Sequence, residues 1–273
     1  MTYLAGAPMK RSFYLLLTLF LGSLMTLQAH ATAYIRGATA PWGVTTNEAA
    51  MDAAFGAGNW DDLRMADGVA PFLPGSGHAF IFVEGSDNTA IELNTFLTTY
   101  RTEIEAFVNA GGALLLNSAP NEGGDIDFGF GGVTLTIDQF MDEVVAADTT
   151  NPIFAGIATT YIGNSFGHGV VGAGVTPLIV GASGDTHAGE VVLGELSFGS
   201  GFVLLGGMTT DNFHDPQPDA ATLRTNIITY TAAKEGYQPV QPVPTMSLYT
   251  IIATMLGLIL VVMRRSLVLA KRT

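Results

Sequence analysis

Two short, unbroken apolar runs constrain this chain more than any other feature. Residues 78–83 end in Phe80, Ile81, Phe82 and Val83, and residues 113–116 are Ala113, Leu114, Leu115 and Leu116. Neither run is long enough for a helix, and neither has the polar alternation of a strand with one wet face. Both suit strands buried on two sides, the position of a parallel strand within an α/β sheet. Between them, residues 90–109 place Ile91, Phe96, Tyr100, Ile104, Phe107 and Val108 on one helical face, and Gly111 with Gly112 ends that helix. Strand, helix, strand with short joints predicts a parallel βαβ unit. Sheets of this kind bind ligands at the carboxyl ends of their strands. Those ends carry Glu84, Ser86, Asp87 and Asn117, which become the candidate binding residues, with Ser118 beside them.

The flanking sequence extends the pattern. Residues 46–55 predict a helix behind a Thr-Thr-Asn cap, and residues 33–35, 63–65 and 177–180 predict short strands. Residues 136–145 predict a helix, and 122–132 a glycine-rich loop. Residues 191–196 and 201–205 predict a hairpin around Gly199, Ser200 and Gly201, and 218–233 a last helix. His168 lies between Gly167 and Gly169, where backbone can approach a ligand closely. It joins the candidate binding set, a plain turn residue being the alternative.

Composition removes several functions. The chain has no cysteine, so disulfides, thiolate metal sites and a cysteine nucleophile are excluded. Residues 32–235 hold all 24 acidic residues and five basic ones, a net charge of −19, which opposes nucleic acid and anionic lipid. The histidines lack the spacing of a zinc site, so no transition metal is expected. Glu122, Asp125 and Asp127 offer oxygen ligands for calcium, or else form a solvated loop. Trp42 and Trp60 are packing anchors or sugar-stacking rings.

Four stretches give the chain a family resemblance. They are residues 80–85 (strand into a glycine turn), 107–116 (helix, Gly-Gly, strand), 148–157 (Asp148, Pro152, Ile153 and Gly156) and 199–207 (the hairpin). In this order the pattern resembles the class I glutamine amidotransferase-like superfamily, in particular its degenerate members related to trehalose-utilisation proteins. The resemblance implies a flavodoxin-like α/β fold: a mostly parallel sheet flanked by helices, with a C-terminal hairpin. It also implies a nucleophilic cysteine on the turn after 113–116, where this chain has Asn117, Ser118, Ala119 and Pro120. Thiolate glutaminase chemistry is therefore excluded. Two readings stay open. One is a non-catalytic module that binds a carbohydrate or an envelope partner. The other is a serine-type hydrolase using Ser118, His214 and Asp215, although the Gly-x-Ser-x-Gly elbow is missing. Ser118 otherwise caps a turn.

The two ends bear on location. Lys10 and Arg11, the apolar residues 13–27, and Ala29-x-Ala31 predict a signal peptide over 1–31, removed by signal peptidase. The domain then covers 32–235 and a proline-rich linker 236–247. Residues 248–263 predict a single short transmembrane helix before Arg264 and Arg265, within a segment 248–273 whose basic end stays inside. Val243, Pro244, Thr245, Met246 and Ser247 precede it. Motif, short span and arginines together resemble a bacterial C-terminal sorting domain of the Ile-Pro-Thr-Leu type. That resemblance implies a membrane sorting protease as partner, and export to the surface of a Gram-negative-type cell.

Overall fold

The computed structural model describes residues 32–234. One sheet of eleven strands runs through them. Its first half is parallel: β1 (Thr32–Arg36), β2 (Asp61–Arg64), β3 (Phe80–Glu84), β4 (Ala113–Asn117) and β10 (Gly201–Gly206) lie in the order β2-β1-β3-β4-β10. The second half is antiparallel. It comprises β5 (Ile126–Gly129), β6 (Val133–Ala146), β7 (Thr160–Val171), β8 (Thr176–Gly181), β9 (Val191–Phe198) and the two-residue β11 (His214–Asp215). Among the described residues there are three α-helices: α1 (Thr46–Phe55), α2 (Ala90–Asn109) and α3 (Asp219–Ala232).

This corrects the expected fold. The βαβ unit forms over its predicted residues, but the whole is a large mixed sheet with few helices, not a flavodoxin-like parallel sheet. The error lies in 136–145. Ile137, Met141 and Val144 recur at helical spacing, yet they belong to β6. The β6–β7 register slips between Ile137 and Met141 and again before Glu143, with Asp138 at φ 59° and Ser165 at φ 57°. Each slip shifts the phase of a two-residue alternation, so a bulged strand mimics a helix. The His168 segment, read as a glycine loop, is the partner strand β7. The expected transmembrane helix is likewise no part of the described architecture. No helix among the described residues is long and apolar enough to cross a membrane. Segments 1–31 and 248–273, and the motif Val243, Pro244, Thr245, Met246 and Ser247, lie outside those residues.

Strand alternation divides the core. Ala33, Ile35, Ile81, Val83, Leu114, Leu116, Val203 and Leu205 face one side, packed with Leu93, Phe96, Leu97, Ile104 and Val108 of α2. Tyr34, Phe82, Leu115 and Leu204 align across the opposite face, where Tyr34 stacks on Phe82 at 4.8 Å. One step further toward the carboxyl ends, the next row on that face is polar. Arg36 pairs with Glu84, Glu84 with Asn117, and Asn117 with Gly206. The register thus sets three polar side chains side by side beneath the strand ends.

Candidate functional site: an aromatic row above a buried polar network

The polar row is tied down completely. Glu84 is 1% exposed. Asn117 Nδ2 donates to Glu84 Oε2 and to Met208 O, both at 2.8 Å, while Met208 N donates to Asn117 Oδ1 at 3.1 Å. A Cβ on Gly206 would stand 2.7 Å from Asn117 Oδ1, so only glycine leaves this amide its place. Ser86 Oγ donates to Glu84 Oε1 and accepts from Ala119 N at 2.8 Å. Burial pushes the Glu84 carboxyl up to about 7, against the opposing pull of Arg224 and of the Ser86 and Asn117 hydrogen bonds. Arg224, also buried, donates to Thr209 O.

Ser118 and His214 are committed to different partners. Ser118 is fully buried, and its Oγ donates to Gly85 O at 2.6 Å. His214 stacks on Phe166 at 3.9 Å and lies 2.7 Å from Thr209 Oγ1 through Nε2. That hydroxyl lies within 3.2 Å of Ser165 O and 3.3 Å of Phe166 O, to which it donates. Nε2 of His214 is therefore engaged by this hydroxyl and not by Ser118. Burial, then Arg224, holds His214 well below its ordinary value. Asp215 is exposed beside it on β11. No hydrogen bond joins Ser118, His214 and Asp215. The candidate calcium residues are also dispersed. Asp127 pairs with Arg101 at 3.2 Å, Asp125 accepts from Ile137 N at 3.1 Å, and Glu122 is exposed. No group of three or more potential metal ligands occurs among the described residues.

Asp87, half-buried, and His168, only 6% exposed, lie instead together in a cluster that the sequence did not assemble. His168 Nδ1 donates to Pro120 O at 3.3 Å, and its ring meets Trp42 edge-on at 5.0 Å and Phe140 at 4.9 Å. Trp42 in turn meets Phe213 at 5.8 Å. Phe213, Trp42, His168 and Phe140 thus form one row of four rings from four separate segments. Phe140 is 43% exposed and Phe213 38% exposed at the two ends of the row, while Trp42 is half-buried and His168 buried between them. The β6–β7 bulges lie beside Phe140. Trp42 has φ 58°, Asp87 φ 53° and Asp138 φ 59°. Left-handed non-glycine residues of this kind concentrate where a structure holds a functional geometry. Asp87 and Asp138 act electrostatically on His168, and Asn121 Nδ2 donates to Asp87 Oδ1 at 2.9 Å. Phe140, Phe213 and Asp138 escaped the sequence reading. Their one signal was an aromatic set among polar neighbours, as in Asp138-Gln139-Phe140 and Asn212-Phe213-His214.

No family model and no curated protein matches the chain. Among solved structures it is similar to a β-galactosidase from Rahnella sp. R3, at 15% identity and TM-score 0.46 over 72% of this chain. A second β-galactosidase, from Bacillus circulans, is 15% identical at TM-score 0.41 over 74% of this chain. The chain spans only 30% and 31% of the lengths of these two enzymes. The mmIFT52 N-terminal domain is 14% identical at TM-score 0.47, with 72% of this chain and 95% of that one covered. Likenesses this loose carry nothing about activity, substrate or partner.

Proposed function

We propose that residues 32–234 form a non-catalytic binding module that takes a carbohydrate on the row Phe213, Trp42, His168 and Phe140. The row itself is the observation that carries this reading. Sugar rings present apolar C–H faces that lie flat on aromatic side chains, and their hydroxyls need nearby polar partners. Asp87, Asp138 and Asn121 supply such partners beside the row. The Glu84–Asn117–Ser86 network beneath is the rigid floor that holds the Asp87 turn. A glycan array probed with the protein should show binding. Phe140→Ala removes an exposed ring, so the fold stays intact while affinity falls about tenfold. Array binding unchanged by both Phe140→Ala and Phe213→Ala would sink the assignment of the row.

Export completes the reading, supported by the basic, apolar and Ala29-x-Ala31 succession at the front and by the Val243–Ser247 motif near the end. The form recovered from the cell envelope is expected to begin at Thr32 and to end near Pro244 or Thr245. Intact-mass spectrometry checks both termini, and a species running from Met1 to Thr273 would refute processing.

A further inference from the structure

The character of the aromatic row narrows the kind of sugar, and this step rests on the binding reading above. Two carboxylates adjoin His168: Asp87 forms a backbone bridge with Pro120, whose carbonyl accepts from His168, and Asp138 lies two residues before Phe140, whose ring meets His168 at 4.9 Å. No basic side chain of residues 32–234 is left to neutralise them. Arg36 is paired with Glu48 at 3.4 Å and with Asp62 at 3.0 Å, and Arg64 also with Asp62. Arg101 is paired with Asp127 and Lys234 with Glu195, while Arg224 is buried on Thr209 O. Asp87 has only the neutral amide of Asn121, and Asp138 is exposed. Burial also lowers the pKa of His168, which favours a neutral imidazole between the acids.

We propose that the row takes a positively charged amino sugar, its ring stacked on Phe140 and Trp42 and its ammonium set against Asp138 and Asp87. Aromatic faces attract cations through their ring quadrupole, and adjacent carboxylates add to that attraction. The surplus of acids over the domain favours approach of a cationic glycan and opposes an anionic one. A neutral sugar gains only the stacking term, so the carboxylates are the source of specificity.

The test uses a β-linked glucosamine oligomer and its N-acetylated counterpart, titrated calorimetrically into the protein at about pH 5.5, where the amine of the sugar is protonated. The amine form should bind about tenfold more tightly at low salt, a preference that shrinks to about twofold in ~1 M salt as screening shortens the reach of the charges. Asp138→Asn should reduce the low-salt ratio to about twofold, since asparagine tolerates the left-handed backbone there. Equal binding of the two oligomers, or preference for the acetylated one, overturns the amino-sugar inference and leaves carbohydrate binding standing. So does binding on the array only to glycans without a free amine. Absence of binding to any glycan overturns the carbohydrate reading itself.

Discussion

Asn117→Leu is expected to lower the stability of the protein by about 3–5 kcal/mol at neutral pH. Asn117 is fully buried, and its one amide satisfies three groups: the N–H and C=O of Met208 and one oxygen of Glu84. Leucine fills similar space but satisfies none of them. Each buried group left unpaired costs about 1–3 kcal/mol, more for a charged one. The damage is also long-range, because this amide fastens the segment after β10 to the end of β4. Equilibrium urea denaturation measures the loss. Adding Glu84→Gln should restore part of it, since one of the stranded acceptors then ceases to be a charge. A loss below about 1 kcal/mol would mean that the network contributes little to holding the sheet edge.

Glu84→Gln by itself should raise stability at about pH 8 by roughly 2–3 kcal/mol and change the shape of the pH profile. Burial lifts the Glu84 carboxyl from 4.5 to about 7. A group raised on folding contributes stability that is fully present below its unfolded value, here about 4.5. That contribution is lost as pH rises through about 7. His214 has the opposite sign. Its folded value lies well below 6.5, so its contribution is present above about 6.5 and is lost as pH falls. Between about 4.5 and 6.5 the two slopes oppose each other and flatten the wild-type profile. In Glu84→Gln the glutamine oxygen accepts from Asn117, and its amide donates to Ser86 Oγ, whose hydroxyl is free to turn. With the Glu84 slope gone, the depressed imidazoles of His214 and His168 dominate, so stability should fall more steeply with acid than in the wild type. A variant whose profile keeps the wild-type shape from about pH 5 to 8 would contradict the assignment of the titrating group.

The contrast between these buried groups and the partly exposed row explains how much of the site was legible. The strand runs ending at Glu84 and Asn117 are local patterns, and the rule that polar residues gather at carboxyl ends located both correctly. It did not distinguish floor from surface. Glu84 and Asn117 are aligned by the register beneath α3 and Ser86 is buried beside them, whereas Asp87 turns outward through a left-handed backbone. The reading of Ser118 and His214 as partners came from their places in the chain. Their hydrogen bonds to Gly85 and Thr209 are set by which loops cross above the strands, which no local pattern records.

Sequence alone determined the elements whose period is intact. The helices at 46–55 and 90–109, the buried strands beside them and the closing hairpin all came from hydrophobic spacing and glycine punctuation. It also excluded cysteine chemistry, since an absent cysteine needs no coordinates. Tertiary structure decided the rest. The paired bulges in β6 and β7 break the alternation that identifies a strand, so these two strands were hidden by their own irregularity. The aromatic row has no counterpart along the chain, because Trp42, Phe140, His168 and Phe213 meet only once the sheet has assembled. Periodicity reports which face of an element is buried. It carries no information about which distant elements will share an edge.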